Sequence, residues 1–123
     1  MKLQTIIQVI CKKLNFEVDE VLEQSRKRNL VKARQIIAYF ALLYEYSQWE
    51  IAKALHYKEH STVIHCRIQV NALYYSDKKY RAEIDWFKVE LKNIEEHCQF
   101  TNDEMIITFD QEILNTFAIN DIY

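Results

Sequence analysis

The chain contains no glycine and no proline in 123 residues. Tight β-hairpin turns and phosphate-cradling loops rely on glycine at positive φ, so both are disfavoured. Proline, the other common turn-former, is missing as well. What remains is an all-α fold whose turns are built from polar residues. Half of the residues are hydrophobic and 13% are aromatic, which supports a packed core and argues against disorder. The length fits one compact domain better than two.

Helical spacing recurs along the chain. Leu3, Ile6, Ile7, Ile10 and Leu14 define an amphipathic helix over 3–15. Asp19 is placed to cap a short helix that presents Val21 and Leu22. Ile36, Ile37, Phe40, Leu43 and Tyr44 mark a second long helix over about 31–45. Ser47-Gln48-Trp49-Glu50 reads as a capping box that opens a short helix, with Glu50 reaching back to the Ser47 amide. A tight turn follows at His56-Tyr57-Lys58-Glu59. The next helix starts at Glu59 or Ser61 and continues through Val63, Ile64, Arg67, Ile68 and Val70. Two helices joined by about four residues form a helix-turn-helix pattern.

Asp77 interrupts the pattern. Beyond it, Tyr80, Ile84, Phe87, Leu91, Ile94 and Cys98 alternate steps of four and three, a heptad seam on a long C-terminal helix. The 80–98 seam fits either a homodimer coiled coil or a helix lying on its own core. After Gln99, Thr101–Glu104 resembles another capping box. Met105–Phe109 has strand propensity and Asp110–Phe117 fits a last short helix.

The net charge of −2 conceals an asymmetry. Residues 1–82 carry a balance of +6, and residues 83–123 one of −8. The first part suits a polyanion, and phosphates are repelled by the second. Within the basic part, the stretch 25–34 holds Arg26, Lys27, Arg28, Lys32 and Arg34 and no acid.

Cys11, Cys66 and Cys98 are odd in number and widely spaced, which suits reduced thiols rather than a disulfide frame. Cys66 and Cys98 fall on the apolar seam as small fillers. His56, His60, His65 and Cys66 offer no set of four zinc ligands at a usual spacing, so no metal site is expected. His65 is read as a packed or backbone-bonded core residue, and Trp49 and Trp86 as packing residues. No nucleophile–base spacing or phosphate loop stands out, so the chain is read as a non-enzyme without cofactors. No stretch approaches the roughly 18 apolar residues of a membrane span, and the first 15 residues are too polar for a signal peptide. A cytoplasmic protein without membrane contact is expected.

Residues 25–66, from Ser25-Arg26-Lys27-Arg28 through His60-Ser61-Thr62-Val63-Ile64-His65, carry a family resemblance. With the helix before them, they resemble the C-terminal DNA-binding domain of the bacterial replication initiator DnaA. That domain combines a basic loop, a long helix and a helix-turn-helix with this His-hydroxyl-Thr-Val-aliphatic-His signature. The resemblance covers about residues 3–75 and implies a sequence-specific binder of double-stranded DNA, acting as a replication- or transcription-associated regulator. Lys58, Glu59, His60, Ser61 and Thr62 would enter the major groove at the mouth of the recognition helix. Arg26 would enter the minor groove, with Lys27, Arg28 and Lys32 beside it. Arg34 and Gln35 would meet the backbone and bases just after the loop.

The sequence departs from the family pattern in four respects. His56-Tyr57 replaces a Gly pair in the turn, Ala33 a proline, and Glu59 an aspartate. The family's ATPase module has no counterpart, so an accessory factor is expected rather than an initiator in the ordinary sense. The resulting domain reading is 1–76 as the DNA-binding domain and 77–123 as an acidic helical extension. The alternative is a protein-interaction or DNA-mimic module in which that extension meets a protein partner.

Overall fold

The computed structural model describes residues 1–23 and 25–100, the last four by backbone only. The described residues form six helices and contain no strand: α1 (Leu3–Lys13), α2 (Val18–Leu22), α3 (Arg28–Leu43), α4 (Gln48–Ala54), α5 (Ser61–Ser76) and α6 (Lys78–Phe100). The segments expected as a capping box, a strand and a last helix after Gln99 lie outside the described side chains. Residues Lys2–Asp77 form one compact unit, and Lys78–Phe100 belong to a second.

In the first unit α3 is the axis. It packs against α1, α2, α4 and α5, while α1 meets α2 and α4 meets α5. Its burial runs through consecutive residues Ile36–Ala41, as befits a helix covered on all sides. α1 contributes Ile6, Ile7, Ile10 and Cys11, spaced so that one stripe faces inward. Lys12 and Lys13 sit in its last turn, where the helix dipole favours cations.

The caps differ from expectation in detail. α2 begins two residues earlier than Asp19 would dictate: Glu17 is its N-cap, and the Glu20 carboxylate accepts from the Glu17 amide at 3.1 Å. α3 starts at Arg28, so Arg28, Lys32 and Arg34 of the basic stretch are helical and Arg26 and Lys27 precede the helix. Ser47 caps α4 by accepting from the Glu50 amide at 3.1 Å. The Glu50 carboxylate accepts from the Ser47 hydroxyl at 3.2 Å, rather than from the expected Ser47 amide.

The absence of glycine is resolved the same way three times. Asn15, Glu45 and His56 take left-handed φ values of 63°, 69° and 61° just past α1, α3 and α4. At each end two amides fold back onto the helix's last carbonyls: Asn15 to Lys12 and Phe16 to Cys11, Glu45 to Leu42 and Tyr46 to Ala41, His56 to Lys53 and Tyr57 to Ala52. This is the Schellman closure, which ordinarily uses glycine.

α5 stops without a special turn residue. Asp77 becomes extended (φ −129°, ψ 115°), and the Ser76 hydroxyl donates to the Ala72 carbonyl at 2.8 Å. In α6, Tyr80, Ile84, Phe87 and Leu91 of the seam are buried, and Ile94 is half-buried. The Cys98 side chain lies outside the described residues. Val89 and Asn93, on the opposite side of the helix, are buried as well. A single heptad stripe therefore does not describe this helix.

Candidate nucleic-acid interface

α4, the connection 55–60 and α5 make the helix-turn-helix. The connection is longer than the expected four residues because Leu55, His56 and Tyr57 are spent closing α4. His56 has a further role that the sequence did not disclose. Its Nδ1 lies 3.1 Å from the Leu22 carbonyl, tying the turn to the end of α2. The position where a glycine pair was expected is thus held by a left-handed residue whose side chain anchors it.

The mouth of α5 is open. Lys58, Glu59, His60 and Ser61 are exposed and Thr62 is half-buried. Val63, Cys66 and Val70 face the core at intervals of three and four, which fixes the helix's rotation and sends the polar residues outward. His60 is the N-cap residue but makes no side-chain cap bond. Its ring instead stacks on Trp49, with centroids 4.8 Å apart and an interplanar angle of 26°. The Ser61 hydroxyl donates to Glu59 Oε2 at 3.5 Å.

Two packing expectations are corrected at this surface. Trp49 is 61% exposed, because in the first turn of α4 it faces His60 rather than the core. His65 is exposed too, one helical turn beyond Ser61 on the outward face of α5. Trp86 belongs to α6, half-buried and edge-on to Phe87 at 5.3 Å.

The basic loop runs into the N-terminus of α3. Ser25 Oγ accepts from the Lys27 amide at 3.2 Å, turning the chain into the helix, for which Lys27 is the N-cap. Arg26, Lys27 and Arg28 are exposed, and Lys32 and Gln35 are half-buried. The first turn of α3 holds no acid. Cations at a helix N-terminus oppose the dipole, so this end gains from an incoming anion.

Arg34, expected at the DNA backbone, is tied into the protein. It is only 7% exposed. Its Nη1 donates to the carbonyls of Val21 at 2.9 Å and Glu23 at 2.8 Å, and its Nη2 donates to the Ser25 carbonyl. Three donors are thus committed within the protein. α2 ends at Leu22 with its last carbonyls unpaired inside the helix, and the guanidinium fork collects that of Val21 together with those of Glu23 and Ser25 beyond it.

Loop and turn border one cleft of about 190 Å³, lined by Ser25, Arg26 and Arg34 on one side and His56, Tyr57 and Lys58 on the other. Beneath it, Tyr57 Oη lies 3.6 Å from Cys66 Sγ. Burial pushes both groups' pKa values up, and the nearby Arg34 charge opposes the rise in each. Both therefore stay neutral at ordinary pH. Cys11 and Cys66 are free, buried thiols. No described helix is long and apolar enough to cross a membrane.

Comparison with known proteins agrees with this geometry. The family described as the bacterial DnaA protein helix-turn-helix matches residues 3–70. The chromosomal replication initiator protein DnaA of Bacteroides thetaiotaomicron is 36% identical over 88 residues, 71% of this chain and 19% of that protein. Its counterpart in Campylobacter concisus is 34% identical over 94 residues, 76% of this chain and 21% of that one. The Streptococcus thermophilus protein is 33% identical over 79 residues, 63% and 17% respectively. The chain spans about a fifth of the length of these relatives. With its first five helices arranged around a helix-turn-helix and the match running from α1 into α5, the chain belongs to the bacterial DnaA helix-turn-helix family.

Proposed function

We propose that this protein binds double-stranded DNA with sequence preference, placing α5 in the major groove and the loop 25–28 in the adjacent minor groove. The observation that carries this reading is the shared cleft: Arg26 of the exposed basic loop and Lys58 of the turn that leads into α5 line the same depression. A major groove about 12 Å wide admits one helix, and a neighbouring basic arm can follow the duplex into the next groove.

In this reading Glu59 accepts from a cytosine amino group, while His60 and Ser61 meet base edges. Lys58 and Thr62 flank them on base or phosphate. Arg26 enters the minor groove, and Lys27, Arg28, Lys32 and Gln35 neutralise or hydrogen-bond the backbone. The relatives are named as chromosomal replication initiators, which favours a role at replication sites as a binding factor rather than a catalyst.

Selection of bound sequences from a random duplex pool tests the reading. The wild type is expected to enrich one sequence logo, and His60→Ala or Ser61→Ala to relax it at the positions they read. An unchanged logo in both variants would remove α5 as the reader. Binding that ignores salt would favour the protein-interaction alternative, since phosphate contacts make affinity fall steeply with salt.

A further inference from the structure

We propose that Arg34 is a positioning residue: it holds the basic loop at the distance from the helix-turn-helix that lets both engage one duplex. The proposal rests on the DNA-binding reading above.

α2 ends at Leu22 after five residues, leaving its terminal carbonyls without helical partners. The Arg34 guanidinium rises from α3 and takes the Val21, Glu23 and Ser25 carbonyls together. A planar fork matches several converging acceptors, whereas an ammonium is a point donor. The same segment is held from the other side by His56, whose ring nitrogen meets the Leu22 carbonyl at 3.1 Å.

Arg34 also lines the cleft with Tyr57. The Tyr57 hydroxyl approaches Cys66 on the inner face of α5. The Arg34 charge acts on both of those groups. One buried side chain thus lies between the loop that carries Arg26 and the helix that carries His60.

The test uses the full chain with Arg34→Lys and Arg34→Met. Trypsin treatment of the free protein reads the loop directly, because Arg26, Lys27 and Arg28 are cleavage sites. Both variants are expected to be cut there about ten-fold faster than wild type, through local opening. Cleavage after Lys12 and Lys53 stays at the wild-type rate and reports any global unfolding.

Duplex binding then separates positioning from contact. Arg34→Lys is expected to lose about ten-fold in affinity, equivalent to about 1.4 kcal/mol. The loss should nearly vanish in an Arg26→Ala background and persist in full in a His60→Ala background. A general structural defect would weaken both backgrounds alike and would overturn the proposal. So would an Arg34→Lys variant that binds like wild type, or loop cleavage that does not change. If the wild type binds no duplex, the DNA-binding reading fails, while the cleavage rates still decide whether Arg34 holds the loop.

Discussion

α3 and α5 are the same length, 16 residues, and they are used in opposite ways. α3 is buried at Leu30, Ala33, Arg34 and continuously from Ile36 to Ala41. α5 buries only Val63, Cys66 and Val70. A helix covered on every side can change little without disturbing its neighbours. A helix held by one narrow stripe leaves most of its surface to evolve. The domain thus separates what keeps it folded from what it presents, and its polar residues at 58–62 are free because α3 carries the packing.

Core truncation gives the largest contrast. Phe40→Ala in α3 is expected to cost about 3–5 kcal/mol, whereas His65→Ala on the outer face of α5 should stay within about 0.5 kcal/mol. Urea titration of both variants measures this, and similar losses would erase the division between the two helices.

The binding side of the contrast is smaller. His60→Ala is expected to keep the wild-type unfolding midpoint while losing about 1–3 kcal/mol of discrimination at the base it reads. Arg26→Ala should weaken all duplexes and reduce the slope of log affinity against log salt by about 0.9. Fluorescence anisotropy across a salt series distinguishes the two patterns.

A pH series probes the core alone. Burial pushes the Cys11 thiol up to about 11 from an ordinary 9.0. A thiol whose folded pKa is raised contributes stability that is complete below pH 9 and is lost as pH rises toward 11. The Cys11 share of the decline is at most about 1.4 kcal/mol per pH unit and should vanish in Cys11→Ala, leaving the share of Cys66, whose thiol burial also pushes up. An identical decline in that variant would assign the loss elsewhere.

The helix ends sharpen the comparison further. Glu45 closes α3 in the left-handed region, and Glu45→Gly is expected to stabilise by about 0.5–1 kcal/mol. His56 closes α4 in the same conformation but also holds the Leu22 carbonyl. His56→Gly should therefore gain less or lose stability, because a bond worth about 1 kcal/mol goes with it. Thermal melts of the two variants compare a passive closure with an anchored one.

Much of this architecture was legible from spacing. The stripe in α1, the Ser47 cap and the outward run 58–61 follow from helical period and side-chain chemistry, which act over a few residues. The exposed basic loop was legible because charge without acids rarely packs. The roles of Arg34 and His56 were not. Each depends on carbonyls 9–13 or 34 residues away whose direction is set only when α2 docks. The Trp49–His60 stack hid for the same reason, since the two rings meet only once α4 and α5 cross. His65 was misread because a histidine between Ile64 and Cys66 looks internal until the helix's rotation is fixed by Val63, Cys66 and Val70.

Closing three helices with asparagine, glutamate and histidine, and none with proline, has a kinetic consequence. Peptide bonds that do not precede proline are almost all trans even in denaturant. Unfolded molecules of this chain are then one population with respect to peptide isomers. Refolding after a denaturant jump lacks the phase of about 10–100 s that splits proline-containing domains into fast and slow fractions. A chain of this kind returns to its folded form without prolyl isomerases, at a speed set by how fast its helices find one another.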